Sequence, residues 1–394
     1  MQKKDQHFIK RENTNLILNL IQKEELISRS ELAKIARMSP TTVSRIVSTL
    51  IEMDLVQETN EYTSGVGRRA TKLTLNANAA LTLGVAVDEH EINIIVINLH
   101  HKVLFTKTSK KRLSKNPSEL AKFIKNEIDF FIEDNEIQSE LITGVGIAIP
   151  GIIDHQEGIV YKSAQLAWEG VQFKEILEQD INFPIYIDNE LNLRSYAEMM
   201  SLGNHSIDSM IVIGFGSGVG STLIEGELIS RGVINGAGEI GHTVVTPNGI
   251  LCTCGNIGCL QTYVAEGFLL EEANKHASCH TTLDIIKYAE DGANWAKNIL
   301  ERAITYAAIA INNSICMSNP EEIILTGSLI ESSEWMSEEI IKRAQAMLWY
   351  PFNEQLTIGV SKLGEIGEAL GAAMYSQEEH ISQLFTSKEL VSNR

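Results

Sequence analysis

The 394-residue chain is short of positive charge, sparing with cysteine and free of long apolar runs. No window approaches the roughly 18 unbroken apolar residues of a membrane-spanning helix, so a helical membrane protein is excluded. The opening MQKKDQHF has no apolar stretch behind its lysines. A secretory signal is therefore not expected, and the sequence reads as cytoplasmic. Of only five cysteines, three crowd between Cys252 and Cys259. That spacing suits a reduced compartment and a metal rather than a disulfide framework. A charged fraction of 21% beside 44% hydrophobic residues excludes global disorder. The length predicts two or three domains with a sizeable core. Finally, 33 Lys+Arg face 51 Asp+Glu, a net charge of −18, which at first sight argues against a nucleic-acid partner.

Counting charge by segment reverses that argument. Residues 1–75 hold twelve basic and nine acidic residues, a net +3, leaving 21 basic and 42 acidic residues, −21, in the remainder. A body so acidic is repelled by a duplex, so only the first ~75 residues are expected to touch DNA, with a modest salt slope per subunit.

That first segment contains a motif. Asn15–Ile21 repeats apolar residues at helical spacing, and a second helix is expected to start at Ser30 as N-cap and run to Ala36. After the break Arg37-Met38-Ser39, Pro40 opens a third helix over Thr41–Met53. Its apolar face is Val43, Ile46, Val47 and Leu50; Thr41, Thr42, Ser44, Arg45 and Ser48 point outward. Two helices joined by a short turn, the second small, polar and basic outside, match a helix-turn-helix. Hydroxyl residues allow close approach to phosphates, and Arg45 can reach a base edge or a phosphate. Leu55-Val56 and Lys72–Leu75 read as short strands flanking a tip, Ser64–Arg69, whose Arg68 and Arg69 suit a wing in or beside the minor groove. The plainer alternative is a three-helix domain that makes protein contacts.

Beyond Asn78 the pattern changes to α/β. Leu81–Val87 with Glu91–Asn98, and Met210–Phe215 with Gly218–Leu223 and Glu227–Ile229, read as two similar strand hairpins. Helices are expected over Pro117–Glu133 and Asn298–Met317. The repeated start suggests a duplicated, two-lobed fold with a ligand cleft. Four motifs follow in order: Ile147–Asp154 with its Pro-Gly turn, Ile187–Asn192, the glycine-rich Asn235–His242, and Cys252–Cys259. His242, Cys252, Cys254 and Cys259 supply one nitrogen and three sulfurs, the donor set of a closed tetrahedral zinc site. With no open position, such an ion organises its loop rather than hydrolysing a substrate. The alternative is buried free cysteines beside an incidental histidine, as expected for Cys279 and Cys316 in apparently helical segments.

With GAGEIGH followed by CTCGNIGC, the chain resembles the ROK family, which unites sugar-responsive repressors with sugar kinases. The resemblance extends from the helix-turn-helix to Gly371 and lies nearest the xylose-repressor-like members. It implies a winged helix-turn-helix over 1–75 and a two-lobed actin-like, ribonuclease H-like domain. The lobes are expected over 80–195 and 196–376, the second with the zinc loop, and a tail over 377–394. It assigns structural Zn2+ to His242, Cys252, Cys254 and Cys259, and sugar contacts to Asn189, Glu190, Glu239, His242 and Gln261. Gln261 stands where the family has an acid. Since zinc fixes the ring of His242, metal and sugar sites are coupled. Trp168 suits either a lid over a sugar ring or a core position.

Kinases of the family open with Asp-x-Gly-Gly-Thr after the first strand. Here the stretch is Asp88-Glu89-His90, without glycines to wrap a phosphate. The kinase base is an Asp where this chain has Glu190, and Phe215 stands where kinases favour threonine. The expectation is therefore a non-enzymatic, sugar-responsive repressor that binds operator DNA as a homodimer, tetramers being the open alternative. The rivals are a sugar kinase with a DNA-binding appendage, and a ROK scaffold that regulates by binding a protein.

Overall fold

The computed structural model describes residues 6–59, 71–202 and 207–384. They form two compact units, one running to Ala197 and resuming at Ile366, the other Glu198–Glu365.

The first unit begins with α1 (Gln6–Glu24), β1 (Ile27–Ser28), α2 (Arg29–Ile35), α3 (Pro40–Glu52), β2 (Val56–Thr59) and β3 (Lys72–Leu75). The cap of α2 is Ser28, not Ser30. Ser28 Oγ accepts from the Glu31 N–H and the Glu31 carboxylate accepts from the Ser28 N–H at 2.8 Å. This reciprocal box needs Ser-x-x-Glu spacing, which Ser28 has and Ser30 lacks. In α3, Ser39 Oγ accepts from the Thr42 N–H, Pro40 occupies the first turn, and Val43, Ile46, Val47 and Leu50 are buried as expected. The short β1 was not anticipated; it completes an antiparallel sheet in the order β1-β3-β2. Arg68 and Arg69 lie outside the described residues.

Next come β4 (Leu81–Val87), β5 (Glu91–Asn98), β6 (Val103–Lys110), α4 (Pro117–Asp134) and β7 (Ile142–Ile149). A small antiparallel sheet follows: β8 (Ile152–Asp154), β9 (Ile159–Ser163) and β10 (Trp168–Val171). Then come α5 (Phe173–Leu177), β11 (Ile185–Asn189) and α6 (Glu190–Ser201). The main sheet has the order β11-β7-β4-β5-β6, with β4–β6 an antiparallel meander and β7 and β11 parallel to β4.

In the second unit, β12 (Ser209–Phe215), β13 (Val219–Glu225) and β14 (Leu228–Ile229) form the same kind of meander. Helices α7 (Gln261–Val264), α8 (Glu266–Ala273), α9 (Thr282–Glu290) and α10 (Asn294–Ser318) lead to β15 (Glu322–Thr326). Then α11 (Ser328–Glu331), α12 (Glu334–Met347) and α13 (Phe352–Gln355) precede β16 (Thr357–Val360). With β15 and β16 parallel to β12, the order β16-β15-β12-β13-β14 repeats the first sheet's topology. The duplication expected from the hairpins is thus present in both sheets.

The chain ends in α14 (Gly367–Leu384), and here the expected boundary at 376/377 needs correction. Residues 366–384 belong to the first unit, with α14 lying across its sheet. A Cβ on Gly84 would meet the Ala369 carbonyl oxygen at 1.9 Å, and one on Gly146 the Ala372 oxygen at 1.8 Å. Glycines on the strands and alanines on the helix let the two backbones touch. Trp168 is 4% exposed; its indole N–H donates to the Lys115 carbonyl at 2.7 Å and its ring packs on Phe173, so it is a core residue and not a lid. Cys279 is buried, but in the turn after α8; Cys316 is helical but exposed. Among the described residues, no helix is long and apolar enough to cross a membrane.

Candidate functional site

The loop between β14 and α7 folds back on itself through backbone hydrogen bonds. The Cys252 N–H donates to the Asn256 carbonyl at 2.8 Å, and the Gly255 N–H to the Cys252 carbonyl at 2.9 Å, turning the chain tightly between cysteines. Gly258 has φ +78°, and a Cβ there would meet the Thr246 oxygen at 1.6 Å, so only glycine returns the chain to Cys259. The loop thereby collects His242, Cys252, Cys254 and Cys259, whose donor atoms all lie within 4.8 Å of one another. His242 Nδ1 is 3.6 Å from Cys252 Sγ, and Cys254 Sγ is 3.7 Å from Cys259 Sγ. These four side chains form a cluster that can hold a metal ion.

The electrostatics point the same way. Burial raises the Cys252 thiol, but hydrogen bonds from the Cys254 backbone and from neighbouring thiol and imidazole groups outweigh it and bring it down to about 6. Burial and the two adjacent thiols push Cys259 up to about 12. The adjacent charges oppose ionisation of Cys252 and Cys259 together, and a bound cation would reverse that cost. On the far side of the ring, His242 Nε2 faces Glu239 Oε2 at 3.8 Å. Burial raises the Glu239 carboxyl, and His242 opposes the shift. Gln261 Nε2 donates to Cys252 Sγ at 3.2 Å and to Thr253 Oγ1 at 3.3 Å. The structure thus brings Glu239, His242 and Gln261 together with the cysteines. Thr253 was not singled out in the sequence, where a threonine between two ligands carries no signal.

Asn189 and Glu190 lie in the first unit, at the junction of β11 and α6. Asn189 Oδ1 accepts the Leu191 and Asn192 N–H groups at 2.9 and 3.0 Å and so caps α6. Its Nδ2 donates to the Gly151 carbonyl at 2.9 Å and to Glu190 Oε2 at 2.8 Å. The Pro150-Gly151 turn, a motif with no role assigned in the sequence, is therefore what positions this amide.

The turn where kinases wrap a phosphate is closed here by its own hydrogen bonds. The Asp88 N–H donates to the Glu91 carbonyl at 3.0 Å and the His90 N–H to Asp88 Oδ1 at 3.1 Å. The segment after β6 seals the turn from outside: Lys111 N–H to His90 O at 2.8 Å, and Leu113 N–H to Glu89 O at 3.0 Å. On α3, Thr41 and Arg45 are exposed and Thr42 and Ser44 half-buried, forming the polar outer face.

A model of the ROK family matches residues 82–379, and a winged helix-turn-helix DNA-binding model matches residues 10–57. The chain belongs to the ROK family. It is 30% identical over 368 residues to the xylose repressor of Bacillus spizizenii, covering 93% of this chain and 95% of that protein. Its fold matches the crystal structure of a ROK family transcriptional regulator, a homologue of the Escherichia coli Mlc protein. The TM-score is 0.80 at 22% identity, over 96% of this chain and 98% of the other. A ROK family glucokinase from Streptomyces griseus matches with a TM-score of 0.64 at 22% identity; all of that chain covers 76% of this one.

Proposed function

We propose that this ROK protein is a sugar-responsive transcriptional repressor of carbohydrate-utilisation genes, acting in the cytoplasm on operator DNA as a homodimer. It is not an enzyme. One combination carries the reading: a DNA-reading α3 with an exposed polar face joined to a ROK domain whose turn at Asp88–His90 is closed. In that turn the Asp88 and His90 N–H groups are already donated within the protein, so they cannot cradle a phosphate, and the acids repel one. Kinship with xylose repressors makes xylose the first effector to test.

Zinc is the ion proposed for the His242, Cys252, Cys254 and Cys259 cluster. A tetrahedron with Zn–S of ~2.3 Å and Zn–N of ~2.0 Å has S···S edges of roughly 3.8 Å and N···S edges of roughly 3.5 Å. The 3.7 and 3.6 Å separations fit those edges. His242, Cys252, Cys254 and Cys259 would hold the ion, and its binding would fix the loop and the ring of His242, leaving Nε2 for Glu239 or a sugar hydroxyl. Asn189, Glu190, Glu239 and His242 are the proposed sugar contacts, with Gln261 offering its Oε1. Thr41, Thr42, Ser44 and Arg45 are the proposed DNA contacts on α3, joined by Arg68 and Arg69.

Induction requires the sugar to bind one conformation better than the other, since only that difference shifts operator affinity. The test is fluorescence anisotropy with duplexes selected by the protein from a random library, repeated over pentoses, hexoses and amino sugars. One sugar should weaken binding at least several-fold. Unchanged affinity across the panel overturns the induction reading, and ADP release with any of these sugars and ATP restores the kinase.

A further inference from the structure

We propose that Gln261 is a positioning residue for the metal centre, its side-chain amide holding Cys252 by an N–H···S hydrogen bond. The inference rests on the zinc reading above and adds a residue outside the four ligands.

The geometry is specific about which end of the amide does this. Nε2 lies 3.2 Å from Cys252 Sγ and 3.3 Å from Thr253 Oγ1. A thiolate only accepts, so the amide must turn its nitrogen toward the sulfur, and Thr253 Oγ1 takes the second N–H. Such a donor matters because three thiolates and a neutral imidazole leave a zinc site with a net charge of −1. Glu239 approaches the same imidazole at 3.8 Å. An N–H group on a ligand sulfur spreads that excess charge, whereas a carboxylate at 261 would add to it and has no proton to donate. The glutamine is the departure from the acid implied by the family resemblance, and the departure is what supplies the donor. The same hydrogen bonds leave only Oε1 for a sugar, so Gln261 presents an acceptor and no donor to the ligand.

The experiment uses full-length wild type, Gln261→Glu and Gln261→Lys. Glutamate keeps the length and removes the donor; lysine keeps a donor. Far-ultraviolet circular dichroism confirms that each folds, elemental analysis gives zinc content, and a chromogenic chelator competes for the ion. Gln261→Glu should bind zinc about 10- to 100-fold more weakly, the usual cost of losing such a partner, with Gln261→Lys within a few-fold of wild type. In the Co2+-substituted protein, the thiolate-to-metal charge-transfer band of Gln261→Glu should move to lower energy, because its sulfur has lost a hydrogen bond. A role confined to packing leaves that band in place. Equal zinc affinity and an unmoved band in Gln261→Glu, or a lysine variant as weak as the glutamate one, overturn the inference and leave the zinc reading standing. A wild type that binds zinc no better than a Cys252→Ser, Cys259→Ser double variant overturns both.

Discussion

Asn15, in the first helix, donates a 2.8 Å hydrogen bond to Ser382, in the last, across 367 residues of sequence. The contact is part of a seam. Ile381 lies in the same buried cluster as Ile17, Leu18, Ile21 and Leu99, so the core of the DNA-reading head is completed by residues of the ROK domain. Gln22 donates to the Leu99 carbonyl at 3.1 Å, and Gln377 to the Asn98 carbonyl at 3.3 Å, fastening the β5–β6 turn to both helices. Ile381→Ala should therefore cost about 2–5 kcal/mol. Amide exchange should accelerate over Thr14–Val56, although the substitution lies more than three hundred residues away in sequence.

The bed of α14 is equally sensitive. Gly146→Ala places a methyl group 1.8 Å from the Ala372 oxygen, a backbone atom that cannot rotate away. Overpacking of this kind costs about 1–3 kcal/mol or more, and urea denaturation should show at least that loss. An alanine at Gly170 meets nothing within 4 Å but sits at φ +65°, so any cost there is backbone strain alone.

Acid should loosen the head. Hydrogen bonds from Lys72 and Ser28 hold the Glu31 carboxyl down at about 2, below its ordinary 4.5. A depressed carboxylate contributes stability that is full above about pH 4.5 and disappears as pH falls toward about 2. Between those limits Glu31→Gln should show a flatter dependence of unfolding midpoint on pH than wild type.

Chelating the zinc proposed for the His242, Cys252, Cys254 and Cys259 cluster should destabilise the second unit. For an ion held at about 1,000 times its dissociation constant, chelation removes roughly 4 kcal/mol. The melting temperature should fall on chelation and recover on adding zinc. Cys259→Ser should mimic chelation, and Cys316→Ser, an exposed position, should not.

Arg45 is exposed on α3, so Arg45→Ala should leave the melting temperature unchanged. Loss of a phosphate contact would weaken all duplexes uniformly and reduce the salt slope by about one. Loss of a base contact would instead relax specificity at one position of the site.

The gathering of His242 with the three cysteines was foreshadowed because its spacing is local. Cys252, Cys254 and Cys259 lie within eight residues, and the glycines between them announce tight turns. Helix α3 was legible for a similar reason, its burial following the 3.6-residue period from Val43 to Leu50. The cap of α2 is Ser28 and not the expected Ser30, and the Ser-x-x-Glu spacing to Glu31 that marks it is itself present in the sequence. Gln261 could be read as a departure from a family pattern, but the atom its amide faces was invisible.

By itself, then, the sequence determined whatever depends on neighbours along the chain: periodicity, turn glycines, thiol spacing, and the division of charge between head and body. Only the tertiary structure decided where distant segments meet. Trp168 was a lid or a core residue until Phe173 and the Lys115 carbonyl were found around it. The last helix read as the end of the second lobe running into a tail, until Gly84 and Gly146 proved to be the floor on which it lies. The reason is physical: a glycine reserved for the backbone of a distant helix looks, in sequence, like any other glycine in a strand.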